Sequence, residues 1–78
     1  MRELVFEITQ EEDGGFSAHA IGEGVITQGD TWDELREMVL DATHGYFYDS
    51  EPPATIRLRL QGKRDDVFAF HRPEHAAA

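Results

Sequence analysis

Between about Trp32 and Tyr48 the apolar residues Trp32, Leu35, Met38, Val39, Ala42, Tyr46 and Phe47 recur at spacings of three and four, which places them on one face of a helix. No other stretch of the chain has that period. Thr31 lies three residues before Glu34, a capping box in which each side chain can satisfy the other residue's free backbone amide. Asp33 and Glu34 suit the positive end of the helix dipole. Gly45 either frays the helix end or terminates it; continuation to about Tyr48 keeps Tyr46 and Phe47 on the face. A chain of 78 residues with one helix must build the rest of its core from strands.

The flanking segments alternate as strands do. Leu4, Phe6 and Ile8 oppose Glu3 and Glu7, with Val5 also on the outer side. Asp13, Gly14 and Gly15 supply a hairpin turn. Phe16, Ala18 and Ala20 then face inward with Ser17 and His19 outward. A turn over Gly22 to Gly24 precedes a short third strand, Val25 to Gln28. After the helix, Glu51, Pro52 and Pro53 form a stiff linker. Ile56, Leu58 and Leu60 alternate with Arg57 and Arg59, Gln61 to Asp66 reads as a polar turn, and Val67 to His71 reads as a fifth strand. The expected fold is α+β: a mainly antiparallel sheet, in the order βββαββ, with one helix packed on one face. Residues 1–71 form a single domain, and 72–78 read as a loose tail.

A chain this short buries only about 60 % of the surface its unfolded form exposes. Disulfides, a metal or oligomerisation can compensate, and the sequence has no cysteine. Assembly as a homodimer or larger is therefore expected. No apolar run approaches the roughly 20 residues of a membrane span, and Met1 leads straight into a strand pattern, so a cytoplasmic, non-membrane protein is expected.

The net charge is −9, and thirteen of the sixteen acids lie between Met1 and Glu51 against two cations, Arg2 and Arg36. Such a front repels a phosphate backbone and attracts a basic protein, although the same charge also serves solubility. Arg57 and Arg59, with Lys63 and Arg64, form a small basic strand patch that suits RNA weakly and the acidic helix of a neighbouring subunit better. Positions offered for partner contact are Asp33, Glu37, Tyr48, Arg57 and Arg59.

Catalytic templates fit poorly. Metal-dependent nuclease chemistry needs converging carboxylates, yet Asp30 and Asp33 are explained by the helix start, and Asp65 and Asp66 by a hairpin turn. His19, His44, His71 and His75 lack metal-ligand spacing; His19 is placed on an outward strand face and His44 on the polar side of the helix. Ser17 and Thr27 lack the context of an activated nucleophile, and the glycine pairs lack that of a phosphate cradle. Trp32, Tyr46 and Phe47 are expected in the core rather than as base-stacking platforms. No enzyme activity, cofactor or metal site is expected.

The segment Asp13-Gly14-Gly15-Phe16-Ser17-Ala18, followed by Thr27-Gln28-Gly29-Asp30-Thr31-Trp32-Asp33-Glu34-Leu35, resembles the HicB-like antitoxin family, where a DGGY-x-A strand leads to a TxGDTxEEA helix start. The likeness covers about Arg2 to Tyr48 and points to a short, stand-alone branch. It implies a truncated ribonuclease-H-like fold and an antitoxin that silences a small basic HicA-type toxin, an mRNA-cleaving enzyme. The DNA-binding segment of longer antitoxins has no counterpart after His71, so no DNA binding is expected. A stand-alone oligomeric interaction module is the alternative. Gly14, Gly15, Gly29, Asp30 and Thr31 are the fold-defining positions of the two motifs.

Overall fold

A computed structural model describes residues 2–70. Its elements are β1 (Glu3–Gln10), β2 (Phe16–Ala20), β3 (Ile26–Gly29), α1 (Trp32–Tyr46), β4 (Thr55–Leu60) and β5 (Arg64–Ala69). The strands form one sheet in the order β3-β2-β1-β4-β5, so the first strand lies at its centre. The α+β class and the order of elements are as expected, but the sheet is mixed rather than antiparallel. β1 and β4 run parallel in the register Glu3↔Thr55 to Glu7↔Arg59. The reason is topological: adjacent parallel strands need a long crossover, usually a helix, and α1 supplies it. The remaining pairs, β1–β2, β2–β3 and β4–β5, are antiparallel.

Local chemistry sets the turns. Gly14 adopts φ +95°, a conformation that costs glycine little, while Asp13 Oδ1 accepts a 2.9 Å hydrogen bond from the Gly15 amide. The third strand begins one residue later than expected; Val25 is buried just before it, and its carbonyl accepts from the Ala20 amide. The β4–β5 turn is tight. Gly62 has φ +77° and the Lys63 amide donates to the Leu60 carbonyl, so β5 starts at Arg64 and both Asp65 and Asp66 are strand residues, not turn residues. The end of the expected fifth strand, His71, lies outside the described residues, as do His75 and the tail.

One face of the sheet carries Leu4, Phe6, Ile8, Ala18, Ala20, Ile56 and Leu58, all buried beneath α1. The small side chains of Ala18 and Ala20 let the helix, which rests on β2 and β3, come close. Its buried stripe is Trp32, Leu35, Val39 and Thr43, continued by Phe47 at the C-cap. This stripe is narrower than the apolar pattern suggests: Met38 and Tyr46 are 40 % and 47 % exposed, whereas Thr43 is fully buried. Burial of that hydroxyl is tolerated because it donates 2.7 Å to the Val39 carbonyl one turn earlier. The helix stops at Tyr46, two residues short of the expected end, and Gly45 lies inside it. Phe47 closes it by donating its amide to the Thr43 carbonyl.

The helix start follows the capping-box logic with one displacement. Thr31 Oγ1 accepts from the Glu34 amide at 3.1 Å, but the Glu34 carboxylate accepts from the amide of Asp30, not from that of Thr31. Thr31→Ala should therefore lower stability by about 1 kcal/mol, the usual cost of an N-cap hydroxyl, as read by urea denaturation.

Candidate protein-binding surface

The two motifs that are separate in the chain meet in space. Phe16, at the start of β2, pairs with Gly29, at the end of β3, and Gly29 leads directly into the N-terminus of α1. A Cβ on Gly15 would lie 3.4 Å from the Gly29 carbonyl, which an ordinary side chain can meet; one on Gly29 would lie 2.6 Å from the Leu35 nitrogen. Gly29 is thus the point where strand and helix backbones touch.

Around this junction opens a groove of about 300 Å³. Its walls hold Phe16 and Met38, and its rim holds the carboxylates of Glu11, Asp13, Asp30 and Glu34, with no cation among the lining residues. Three of these acids also shape the fold: Glu11 accepts from the Ser17 hydroxyl at 2.9 Å, Asp13 holds the hairpin turn, and Glu34 caps the helix. Those three accept only from neutral donors of the fold and Asp30 is exposed, so the negative charge around the groove is not offset by a cation among its lining residues.

The helix extends this acidic surface. Asp33, Glu37 and Asp41 are all exposed. Arg36, the basic residue of α1, turns away and stacks on the Phe68 ring of β5 at 4.4 Å. His44 is half-buried against the Phe70 ring, 4.6 Å between centroids, rather than on a fully polar side. Tyr48 is 80 % exposed beyond the helix end. At 1.5 Å per residue the helix end at Tyr46, just before it, stands roughly 20 Å along from Asp33. Asp33 and Glu37 share one surface, while Arg57 and Arg59 lie on the opposite face of the sheet.

The expected basic patch is largely committed within the chain. The Arg57 guanidinium lies 3.1 Å from Glu3 and 2.9 Å from Asp65, and hydrogen bonds first to Glu3 and then to Asp65 hold its pKa above the ordinary value. It is a cation at every physiological pH. Arg64 lies over the Trp32 ring at 4.4 Å and 3.5 Å from Asp66. Trp32 donates its indole N–H to Asp66 at 2.7 Å and receives the Phe16 ring edge-on at 5.4 Å. It therefore ties β2, the helix start and β5 together. A buried tryptophan needs an acceptor for its N–H, the one signal by which Asp66 was identifiable, although the pattern did not say which acid would serve.

Among the described residues no group of three or more His, Asp or Glu side chains is placed to hold a metal ion. No helix among them is long and apolar enough to cross a membrane.

These features define a small α+β domain, a mixed five-stranded sheet under one helix, with an acidic groove where its two glycine motifs meet. The chain belongs to the UPF0150 family. It is 41 % identical over 51 residues to the UPF0150 protein of Thermotoga maritima, covering 65 % of this chain and 73 % of that relative. It is 39 % identical over 49 residues to the UPF0150 protein of Archaeoglobus fulgidus, covering 63 % and 74 % respectively. No family model matches the chain, and no solved structure does.

Proposed function

We propose that this protein is a HicB-like antitoxin: it binds a small basic mRNA-cleaving toxin of the HicA type in the cytoplasm and silences it by covering its RNA-binding face. On this reading the sheet and helix are a truncated ribonuclease-H-like fold, and the protein acts by binding rather than by catalysis. The observation that carries the reading is the acidic surface formed by Glu11, Asp13, Asp30 and Glu34 around a groove lined by no cation, and extended by Asp33, Glu37 and Asp41 along the helix. Such a surface competes with an RNA backbone for lysines and arginines, and Phe16 and Met38 offer apolar area beneath their aliphatic stems.

The test is capture by tagged protein from its own cell extract, with salt varied in the washes, followed by a ribonuclease assay of what is recovered. Recovery of a small basic ribonuclease, inactive in the complex and released by salt, is expected. A chain carrying Asp30→Asn, Asp33→Asn and Glu37→Gln should bind that ribonuclease at least about tenfold more weakly while still folding cooperatively, because all three side chains are exposed and only the helix-dipole contribution of Asp33, at most about 1 kcal/mol, is lost from the fold. Equal binding by this variant, or no ribonuclease at all, would overturn the reading.

A second reading, a self-associating interaction module without a toxin, is favoured by the uncovered face of the sheet.

A further inference from the structure

The helix covers only one face of the sheet. The strand registers place two cross-strand rows on the other. One row runs Ile26, His19, Glu7, Arg59, Asp65 from β3 to β5; the next runs Ile21, Val5, Arg57, Val67, with Ile21 held opposite Val5 by its amide bond to the Val5 carbonyl. Ile21 and Val67 are each 49 % exposed in the row that crosses the β1–β4 seam, while Ile26, 75 % exposed, lies on the edge strand β3 outside it.

Charge separates this face from the rest of the molecule. Glu3, Glu7 and Asp65 are set against Arg57 and Arg59, so the face is nearly neutral on a chain of net charge −9. A basic protein is drawn to the groove instead, and a nucleic acid gains little here because Arg57 is already held by Glu3 and Asp65. A second copy of the chain meets less repulsion on this face than on the acidic groove and helix surface.

The pattern is also self-complementary. A two-fold axis lying between two such faces, parallel to the strands and over the β1–β4 seam, sets β1 of one copy on β4 of the other and β2 on β5. It brings Glu7 against Arg59 and His19 against Asp65 in one row, and Ile21 against Val67 in the next, while Val5 meets the aliphatic stem of Arg57. Neither Glu7 nor Arg59 has an ion-pair partner among the described residues. We propose that two copies of this chain pack through their open sheet faces about this axis, with Glu7 and Arg59 forming reciprocal pairs across the interface. An isologous contact requires that a patch complement itself. The alternation of sign across the seam provides this, and aligned packing of twisted sheets keeps the rows nearest the axis in register.

This inference rests on the self-association of the second reading and is independent of the toxin. Its test is a mixing experiment on full-length protein, with mass read by sedimentation and folding by circular dichroism. The unaltered chain should be a dimer. Glu7→Arg and Arg59→Glu should each be folded monomers, since like charges then meet on both sides of the axis, and an equal mixture of the two should form a dimer with one of each. Restoration on mixing cannot arise from pairing within one chain. Val67→Asp should also give a folded monomer. A monomeric unaltered chain would overturn both the interface and the second reading. A dimer that survives Val67→Asp and both charge swaps, or single variants that stay monomeric when mixed, would overturn the interface alone.

Discussion

Trp32→Ala should cost about 3 to 5 kcal/mol, the range for removing a large buried aromatic side chain. For a domain of this size that is much of the total stability. The loss has three parts with separate origins. The ring fills the space between Phe16 and the start of β5, its N–H satisfies Asp66, and its face carries the Arg64 guanidinium. Trp32→Phe keeps most of the packing and deletes the hydrogen bond, so its cost should fall to about 1 to 3 kcal/mol. Urea denaturation followed by circular dichroism reads both, since tryptophan fluorescence is lost in either variant. Equal losses would mean that the bond to Asp66, not the packing, holds the helix start on the sheet.

Gly29→Ala should be nearly as damaging, about 3 kcal/mol, through a different cause. The added Cβ meets the nitrogen of Leu35 at 2.6 Å and its Cα at 2.7 Å, both backbone atoms of the helix that cannot rotate aside. The end of β3 and the first turn of α1 must separate, at the upper end of the usual overpacking cost. Gly15→Ala serves as the control: its nearest contacts are at 3.4 Å, so it should change stability by less than about 1 kcal/mol under the same denaturation. If both substitutions cost the same, the two glycines act through turn flexibility and not through the close approach at Gly29.

What was legible in the sequence was local. β1, β2 and the helix start followed from alternation, turn residues and capping, all of which act within a few positions. The helix end was not legible, because Tyr46 looks like a core residue until its neighbours are known; its hydroxyl accepts from the Gly24 amide at the surface instead. Thr43 was missed for the converse reason, since a hydroxyl satisfied by its own helix can be buried. Asp65 and Asp66 resembled a turn because strand formation by two adjacent acids depends on Arg57 and Trp32, which are distant in sequence. The parallel seam was equally hidden, and with it the engagement of Arg57 by Glu3, 54 residues away. For the candidate surface, the acidic bias and the exposure of Asp33 and Glu37 were readable. The meeting of the two glycine motifs in one groove was not.

Placing the first strand at the centre of the sheet also imposes an order on events during synthesis. β1 leaves the ribosome first and gains β2 at once, but its other edge has no partner until β4 has emerged some fifty residues later. In that interval the backbone amides and carbonyls of Glu3–Gln10 along that edge are open to pairing with another nascent chain, and the apolar side chains Leu4, Phe6 and Ile8 lack half of their cover. A product ending before Thr55 would carry that exposed edge permanently. Any shortened form of this protein that omits β4 is therefore expected to aggregate even though the whole acidic surface remains in it.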